Sequence, residues 1–170
     1  IDPQTGDVLA FISSPDFDPG AFSDQNRTAE RMASLRGDSK PMLCRAVASG
    51  YPPGSTFKVA IVAAGLRTGA LRPETRFTCR GSYAGKKCWN KRGHGTLGLL
   101  DGLAQSCDVY FYHAGEAVGI EAIAETARLL GIGRAPGLGL GYREEPGIVP
   151  TPEWEKENVR YAWGLHWGLG

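Results

Sequence analysis

Several features are missing from this sequence, and each absence narrows what the chain can be. No segment reaches the ~18 uninterrupted apolar residues that a membrane-spanning helix needs, and no signal peptide is visible. Internal repeats and low-complexity linkers are also missing, which leaves one domain, or part of one, for 170 residues. Because the chain opens at Ile1 in mid-pattern and without an initiator methionine, we expect an excerpt from a longer protein.

Charge of one sign is also scarce. The chain has 19 basic and 18 acidic residues, so its formal net charge is +1. This balance gives no reason to expect nucleic acid or an anionic membrane as a partner. With 42% hydrophobic residues and no compositional sign of disorder, the chain can bury one core.

The most informative stretch is the one around Ser55, where a proline- and glycine-rich segment changes into an apolar run. Residues 51–54 (Tyr-Pro-Pro-Gly) forbid a helix before Ser55, whereas the residues that follow favour one. Apolar residues occupy nearly every side of the run from Phe57 to Leu66, and Gly69 ends it. The pattern therefore predicts a helix that is buried all round and that begins at or beside Ser55.

Lys58 follows Ser55 by three positions, which places a hydroxyl and an ammonium one helical turn apart on one face. A lysine in apolar surroundings loses part of its preference for the charged form, so it can accept the serine proton. The helix N-terminus favours the negative charge that develops there. Alternatively, Ser55 only caps the helix and Lys58 only extends to solvent, and the short pattern alone does not decide.

The rest of the chain predicts short elements around this helix. Residues 1–15 read as a hairpin arm, with turn chemistry in residues 2–7 and a strand-like pattern in residues 8–13. A short helix is predicted around Thr28 to Leu35. Residues 76–95 are irregular, basic and glycine-rich.

Helical spacing returns in two further segments. It covers residues 97–104 and residues 120–130, and Gly131 ends the second segment.

Two short motifs carry a resemblance to a known family. Ser55-Thr56-Phe57-Lys58 and, further along, Ser106-Cys107-Asp108 resemble the first two motifs of the penicillin-binding proteins, the serine transpeptidases of the cell wall. The match is closest to the class B, elongation-specific branch typified by penicillin-binding protein 2. It extends over residues 2–10, 17–19, 45–46, 51–58, 93–95, 106–112 and 150–154. Together these stretches are specific, although either short motif alone would be weak.

The resemblance implies a role for each motif residue. Ser55 matches the acylated nucleophile and Lys58 the base that takes its proton. Ser106 matches the hydroxyl that relays a proton towards the leaving group, and Asp108 the side chain that hydrogen-bonds the substrate's backbone amide. Much of the wider superfamily has asparagine in place of Asp108, and since a carboxylate only accepts, its partner must be an N–H. The alternative for Ser106 and Asp108 is ordinary capping of a helix end.

The fold implied by the resemblance is α/β (α+β), a mainly antiparallel sheet with helices on both faces. This excerpt would hold mainly the helical subdomain, residues 51–155, together with the N-terminal β-hairpin. The family's third motif, K-T-G, occurs nowhere in the chain, and residues 156–170 are a tail of uncertain origin. We therefore expect the isolated excerpt to be inactive, while its parent is a serine D-Ala-D-Ala transpeptidase that needs no cofactor for catalysis.

The implied partners are peptidoglycan stem peptides, β-lactams and membrane proteins of the elongation complex, without nucleic acid. The implied location is the periplasmic face of the inner membrane, with the anchor outside this excerpt. Two alternatives belong to other classes. One is a penicillin-sensing receptor domain, which would lack the Gly-His-Gly and paired-cysteine region seen here, and the other is an inactive zinc-stabilised structural fragment.

A cluster of metal-ligand residues is the last candidate site. Three of the four cysteines and one of the three histidines lie between residues 79 and 107, around a loop with little apolar material to order it. Three thiolates and one imidazole make a closed, tetrahedral structural zinc site. The predicted ligands are Cys79, Cys88, His94 and Cys107.

Two alternatives to zinc stay open. One is a disulfide between Cys79 and Cys88, since a periplasmic setting is oxidising, and the other is a set of free buried thiols. Cys107 lies between Ser106 and Asp108, so if those two face the active site, the cysteine turns away from it towards the loop. The resemblance also implies a metal in this region, without deciding its ligands.

Overall fold

The computed structural model describes residues 1–141 and 143–157, which form two compact units. One unit comprises Ile1–Gly50 and Ala135–Pro146, and the other comprises Tyr51–Arg134 and the described residues from Gly147 onwards. Helices predominate over two small antiparallel sheets, which confirms the α/β class with its helical part predominant. None of the described helices combines the length and the apolar character that crossing a membrane requires.

The first unit is built from short helices and turns. Its elements are α1 (Gly20–Ser23), a 3-10 turn (Gln25–Arg27) and α2 (Thr28–Arg36). The carboxylate of Asp24 caps the 3-10 turn by accepting from the Asn26 N–H at 2.8 Å. The predicted helix around Thr28 to Leu35 is therefore confirmed as α2.

The N-terminal hairpin arm forms only its turn. The Asp2 N–H donates to the Asp7 carbonyl at 2.8 Å, as the turn chemistry predicts. Residues 8–13, however, form no strand with the described residues, so the strand prediction is wrong. A strand needs a ladder partner. The Ser13 hydroxyl instead donates to the Leu43 carbonyl and accepts from the Arg45 N–H, both at 3.0 Å.

The second unit holds the larger helices, with a 3-10 turn (Gly54–Phe57) before the first of them. These helices are α3 (Lys58–Thr68), α4 (Leu99–Ala104), α5 (Asp108–Val118), α6 (Ile120–Leu129) and α7 (Pro152–Glu157). The helical predictions for residues 97–104 and 120–130 correspond to α4 and α6. The predicted tail, residues 156–170, lies outside the described residues from residue 158 onwards.

Helix α3 begins and ends where the sequence predicts. Gly69 closes it in the left-handed conformation, with φ of 74°, and donates its N–H to the Leu66 carbonyl. The helix is not buried all round, because α5 and α6 pack against one side of it. On the other side Val59 is 57% exposed and Leu66 47% exposed.

Residues 76–95 are more regular than their composition predicts. Strand β1 (Phe77–Cys79) pairs antiparallel with β4 (Gly95–Leu97), and β2 (Ser82–Tyr83) pairs antiparallel with β3 (Lys86–Lys87). Each strand is too short to leave a two-residue periodicity in the sequence, which is why the stretch reads as irregular. The prediction of an irregular loop is thus wrong, although its turns do use glycine.

The core of this unit lies where α3, α5 and α6 meet. Its largest fully buried apolar side chains are Tyr110, Phe111, Ile61, Leu71 and Ile123. Helix α4 packs against the ring of Tyr110 at Gly102, where a Cβ would lie 2.7 Å from a ring carbon. The Tyr110 hydroxyl donates to the Thr75 carbonyl at 3.1 Å. These contacts fix α5, whose first turn carries the second motif.

Candidate active site and candidate metal centre

Ser55 lies in the 3-10 turn that leads into α3, so its hydroxyl stands exposed at the N-terminal end of that helix. Gly54, with φ of 56°, and the preceding prolines set the turn, and Thr56 donates its hydroxyl to the Pro53 carbonyl at 2.6 Å. The prediction that a helix begins at or beside Ser55 is therefore confirmed.

Lys58 is the first residue of α3 and its side chain is only 1% exposed. Its ammonium donates to Asp108 Oδ1 at 2.8 Å, to the Ser106 carbonyl at 3.0 Å and to Ser106 Oγ at 3.1 Å. The same nitrogen lies 5.3 Å from the centroid of the Phe111 ring. The alternative in which Lys58 extends to solvent is thus wrong.

Ser106 lies between Ser55 and Lys58. Its hydroxyl donates to Ser55 Oγ at 3.0 Å while it accepts from the Lys58 ammonium. Ser106 has φ of 48°, a left-handed conformation that is uncommon for a residue with a side chain. That conformation lets both the carbonyl and the hydroxyl of one residue face Lys58. The spacing of Ser55 and Lys58 predicts that the lysine accepts the serine proton. In the structure, the hydroxyl of Ser106 lies between them and connects the two by hydrogen bonds.

Asp108 opens α5 and uses both carboxylate oxygens inside the protein. Oδ1 accepts from Lys58, and Oδ2 accepts from the backbone N–H of Trp89 at 2.9 Å. Capping of α5 is done instead by Cys107, whose Sγ accepts from the Tyr110 N–H at 3.4 Å. The simple capping interpretation of Asp108 is therefore wrong, and a carboxylate with about four lone-pair sites can still accept from a further N–H.

Trp89 is the residue of this site that the sequence reasoning missed. Its backbone N–H holds Asp108, its indole Nε1 donates to the Gln105 carbonyl at 3.1 Å, and its ring lies 5.0 Å from that of His94. A backbone donor leaves no signal in the residue type. The only hint was the position of Trp89, directly after Cys88.

The predicted metal ligands come together at one place. Cys79 ends β1, Cys88 follows β3, His94 precedes β4 and Cys107 precedes α5. Their potential ligand atoms all lie within 4.8 Å of one another, and Cys88 Sγ lies 3.6 Å from His94 Nδ1. Cys107 faces this cluster, as predicted from its position between two active-site residues.

The three thiols of the cluster are buried and form no disulfide bond. Cys79 and Cys88 are each 3% exposed, Cys107 is 0% exposed, and all three are free cysteines, so the alternative disulfide is not formed. Burial raises the pKa of the Cys107 thiol to about 12. Burial also opposes ionisation of Cys79, but hydrogen bonds with the Gly81 backbone and with His94 outweigh it and lower the pKa of Cys79 to about 7.

His94 supplies the observation that favours a bound ion. Its Nε2 is buried and, among the described residues, has no hydrogen-bond partner. A buried ring nitrogen without a partner costs free energy unless something satisfies it. A donor set of three thiols and one imidazole, drawn from four separate segments, has the composition of a structural zinc site.

Comparison with known proteins agrees with the family resemblance found in the sequence. The family model described as the penicillin binding protein transpeptidase domain matches residues 1–169. Peptidoglycan D,D-transpeptidase MrdA of Escherichia coli strain K12 is 32% identical over 168 residues, which is 95% of this chain and 26% of MrdA. The chain thus spans about a quarter of the length of that curated relative.

Two solved structures have the same fold. Pseudomonas aeruginosa PBP2 in complex with WCK 5153 has a TM-score of 0.79 and 32% identity, with 96% of this chain and 38% of that chain covered. The complex between Helicobacter pylori PBP2 and MreC has a TM-score of 0.72 and 29% identity, with 86% of this chain and 28% of that chain covered. The match to the transpeptidase family model and to MrdA favours the transpeptidase over the penicillin-sensing receptor.

Proposed function

Since the chain belongs to the family of penicillin-binding protein transpeptidase domains, we propose that it carries the nucleophile of a serine D,D-transpeptidase. The whole protein would cross-link peptidoglycan by acyl transfer on stem peptides that end in D-Ala-D-Ala. β-Lactams would acylate the same serine. Because the chain spans 26% of the Escherichia coli relative, the proposed activity is that of the whole protein.

The proposed reaction begins with attack by Ser55 Oγ on the carbonyl carbon of the penultimate D-Ala. As that bond forms, the Ser55 proton passes to Ser106 and the Ser106 proton passes to Lys58, which must start the step as a neutral amine. The two hydroxyls must first turn, because in the described geometry Lys58 donates to Ser106 and Ser106 donates to Ser55. When the C–N bond breaks, the relay returns a proton to the nitrogen, and the terminal D-Ala leaves as an amine. An amine of a second strand then attacks the ester, gives a proton to the relay and releases Ser55.

Asp108 and Lys58 set the resting state of this relay. In the described geometry the ammonium of Lys58 donates to three acceptors, one of which is Asp108 Oδ1. We infer that an N–H of the bound peptide competes for Asp108 and weakens its hold on Lys58. This role agrees with the amide contact that the family resemblance implies.

The observation that carries the proposal is the continuous set of hydrogen bonds from Ser55 through Ser106 to Lys58. Its test is covalent labelling of the full-length protein with a fluorescent penicillin. Ser55→Ala should abolish labelling, because it removes the nucleophile, whereas Ser82→Ala, at an exposed serine of β2, should not change it. Labelling that persists in Ser55→Ala would contradict the proposal.

We also propose that Cys79, Cys88, His94 and Cys107 hold a structural zinc ion. When bound, zinc would act as a cross-link between loop and helix, and four protein ligands leave no position for water or substrate. The support is that three buried free thiols and the His94 ring come together at one place, and that His94 Nε2 is buried without a partner among the described residues. Elemental analysis of the purified full-length protein should find one zinc per chain, and a protein without zinc would contradict this assignment.

We also propose partners and a location for the whole protein. Stem peptides and β-lactams would bind at Ser55, and membrane proteins of the elongation complex would be partners, as one similar structure is a complex of PBP2 with MreC. The location would be the periplasmic face of the inner membrane. Fractionation of cells that express the tagged full-length protein would test this location directly.

A further inference from the structure

The loop beside the site carries a concentration of positive charge that catalysis does not use. Between Glu74 and Asp101 the sequence has no acidic residue, yet it has six basic ones. They are Arg76, Arg80, Lys86, Lys87, Lys91 and Arg92. Because the chain as a whole has a net charge of +1, the rest of it is net negative, so this charge is local rather than general.

Three of these cations are held close together by the backbone. A Cβ on Gly93 would lie 2.4 Å from the Cys79 carbonyl oxygen and 2.8 Å from Arg80 Cα. A Cβ on Gly81 would lie 2.2 Å from the Lys91 carbonyl oxygen. Since both glycines have positive φ and no room for a side chain, the backbone at Arg80 and the backbone at residues 91–93 are in direct contact.

The turn that presents Lys91 and Arg92 is itself well ordered by hydrogen bonds. The Gly93 N–H donates to the Asn90 carbonyl at 3.0 Å, and the Asn90 side chain donates to the Gly93 carbonyl at 2.9 Å and accepts from the Arg92 N–H at 3.1 Å. Arg80, Lys91 and Arg92 are all exposed, and none of them forms an ion pair with a residue that the structure describes. We call these three residues the cationic surface.

Neighbouring like charges repel one another and attract anions, so this exposed cationic surface, which has no acidic partner among the described residues, favours an anionic ligand. The surface also lies next to the candidate active site along the chain. Lys91 and Arg92 follow Trp89 directly after Asn90, and the N–H of Trp89 holds Asp108. The cationic surface is therefore connected to the candidate active site through Trp89.

We propose that the cationic surface of Arg80, Lys91 and Arg92 is a docking site for a peptidoglycan strand, which it recognises through the free carboxylates of its stem peptides. This inference rests on the proposed function, since it assigns part of the same substrate to a separate surface. Guanidinium and ammonium groups match carboxylates in charge and in hydrogen bonding. The surface raises the local concentration of the strand and orients it, while the bond-breaking chemistry stays at Ser55.

The experiment measures binding of the full-length protein to purified peptidoglycan sacculi by co-sedimentation at low ionic strength. The variant Lys91→Gln/Arg92→Gln, called the loop variant below, should bind about three- to tenfold more weakly than the wild type, because exposed charge contacts are individually weak. The matched control Arg36→Gln/Arg72→Gln removes the same charge from two exposed arginines elsewhere and should bind like the wild type. Added salt should weaken the wild type more than the loop variant.

A chemical arm identifies the ligand. Sacculi whose carboxylates have been converted to amides should bind the wild type only as weakly as unmodified sacculi bind the loop variant. Equal binding by variant and wild type, an equal loss in the control, or a loss that persists with amidated sacculi would each overturn the proposal. Weaker binding of the loop variant to phosphatidylglycerol vesicles, with sacculus binding unchanged, would overturn it in favour of a membrane contact.

Two further measurements separate the possible failures. Thermal unfolding of the loop variant should be unchanged or shifted upwards, since relieving repulsion does not remove a contact. A downward shift would contradict the argument from repulsion. Penicillin labelling of the wild-type protein is scored separately: its absence would contradict the proposed function, whereas the sacculus result alone decides the docking site.

Discussion

Two clusters meet at the start of α5, and they differ in how their polar atoms are satisfied. Ser106 and Asp108 belong to a hydrogen-bonded set in which each side chain of the candidate active site has a protein partner. Cys107, between them, belongs to a set in which His94 Nε2 is buried without a partner among the described residues. The first cluster is complete in the free protein, and the second is complete only with an added ligand. Polar groups that satisfy one another need no added ligand, whereas an unsatisfied buried group indicates a site for an ion.

The largest effect is expected from Lys58→Met, which removes the ammonium and keeps most of the side-chain volume. Penicillin labelling of the full-length protein should slow by about 10²- to 10⁴-fold, the usual contribution of a general base. The free energy of unfolding should fall by about 3–5 kcal/mol, because Asp108 loses its buried partner. Stopped-flow labelling and urea unfolding measure the two effects, and the double variant Lys58→Met/Asp108→Asn should recover part of the stability without the labelling. A wild-type labelling rate in Lys58→Met would show that Lys58 is not the base of the relay.

Removal of the proposed zinc ion should act on stability first. If the free zinc concentration is about 1,000 times the dissociation constant, chelation lowers the free energy of unfolding by about 4 kcal/mol. Cys79→Ser should reproduce most of this loss, since it removes one ligand. Cys44→Ser is the matched control, because Cys44 is also buried and free but lies outside the cluster. Equal destabilisation by both substitutions, or no response to a chelator, would contradict the difference between the two clusters.

Ser106→Ala should separate chemistry from stability within the first cluster. It removes the hydroxyl between Ser55 and Lys58 but keeps the Ser106 carbonyl that also accepts from Lys58. Labelling should slow by about 10²-fold, the lower end for loss of proton transfer, while the unfolding free energy changes by less than about 1 kcal/mol. A wild-type labelling rate would mean that Lys58 takes the proton from Ser55 directly.

The smallest effect is expected from Trp89→Ala, which tests the link between the clusters. The substitution keeps the backbone N–H that holds Asp108 but removes the indole bond to Gln105 and the ring contact with His94. We expect a loss of about 1 kcal/mol in unfolding free energy and retained zinc. Arg72→Ala, at an exposed position of the same unit, should change stability by less than about 0.5 kcal/mol. Loss of the metal in Trp89→Ala would show that the indole, rather than the ligands alone, orders the cluster.

The positions of the site residues could be predicted because they depend on local motifs and on residue types with few alternative uses. Ser55 lies at a proline-to-helix transition, and Cys107 is set by its place between two active-site residues. Their connections could not be predicted in the same way. The Ser106 bridge depends on a left-handed backbone, and the bond to Asp108 comes from a Trp89 backbone N–H, neither of which leaves a pattern in the residue types.

The fold predictions failed where tertiary context outweighs local pattern. Residues 8–13 have a strand-like sequence, but a strand exists only with a paired neighbour. In the opposite direction, β2 and β3 are two residues each and exist because glycine turns return the chain on itself. The apolar run of α3 could not reveal which side of the helix is exposed, because almost every position in it is apolar.

The left-handed backbone at Ser106 reduces the stability of the protein, so selection for stability alone would act against this residue. With φ of 48°, a non-glycine residue there is strained by about 1–3 kcal/mol, which glycine would relieve. A library screened only for thermal stability should therefore enrich Ser106→Gly, a substitution that also deletes the relay hydroxyl. Natural sequences that keep serine at this position would carry a record of selection for turnover against selection for stability.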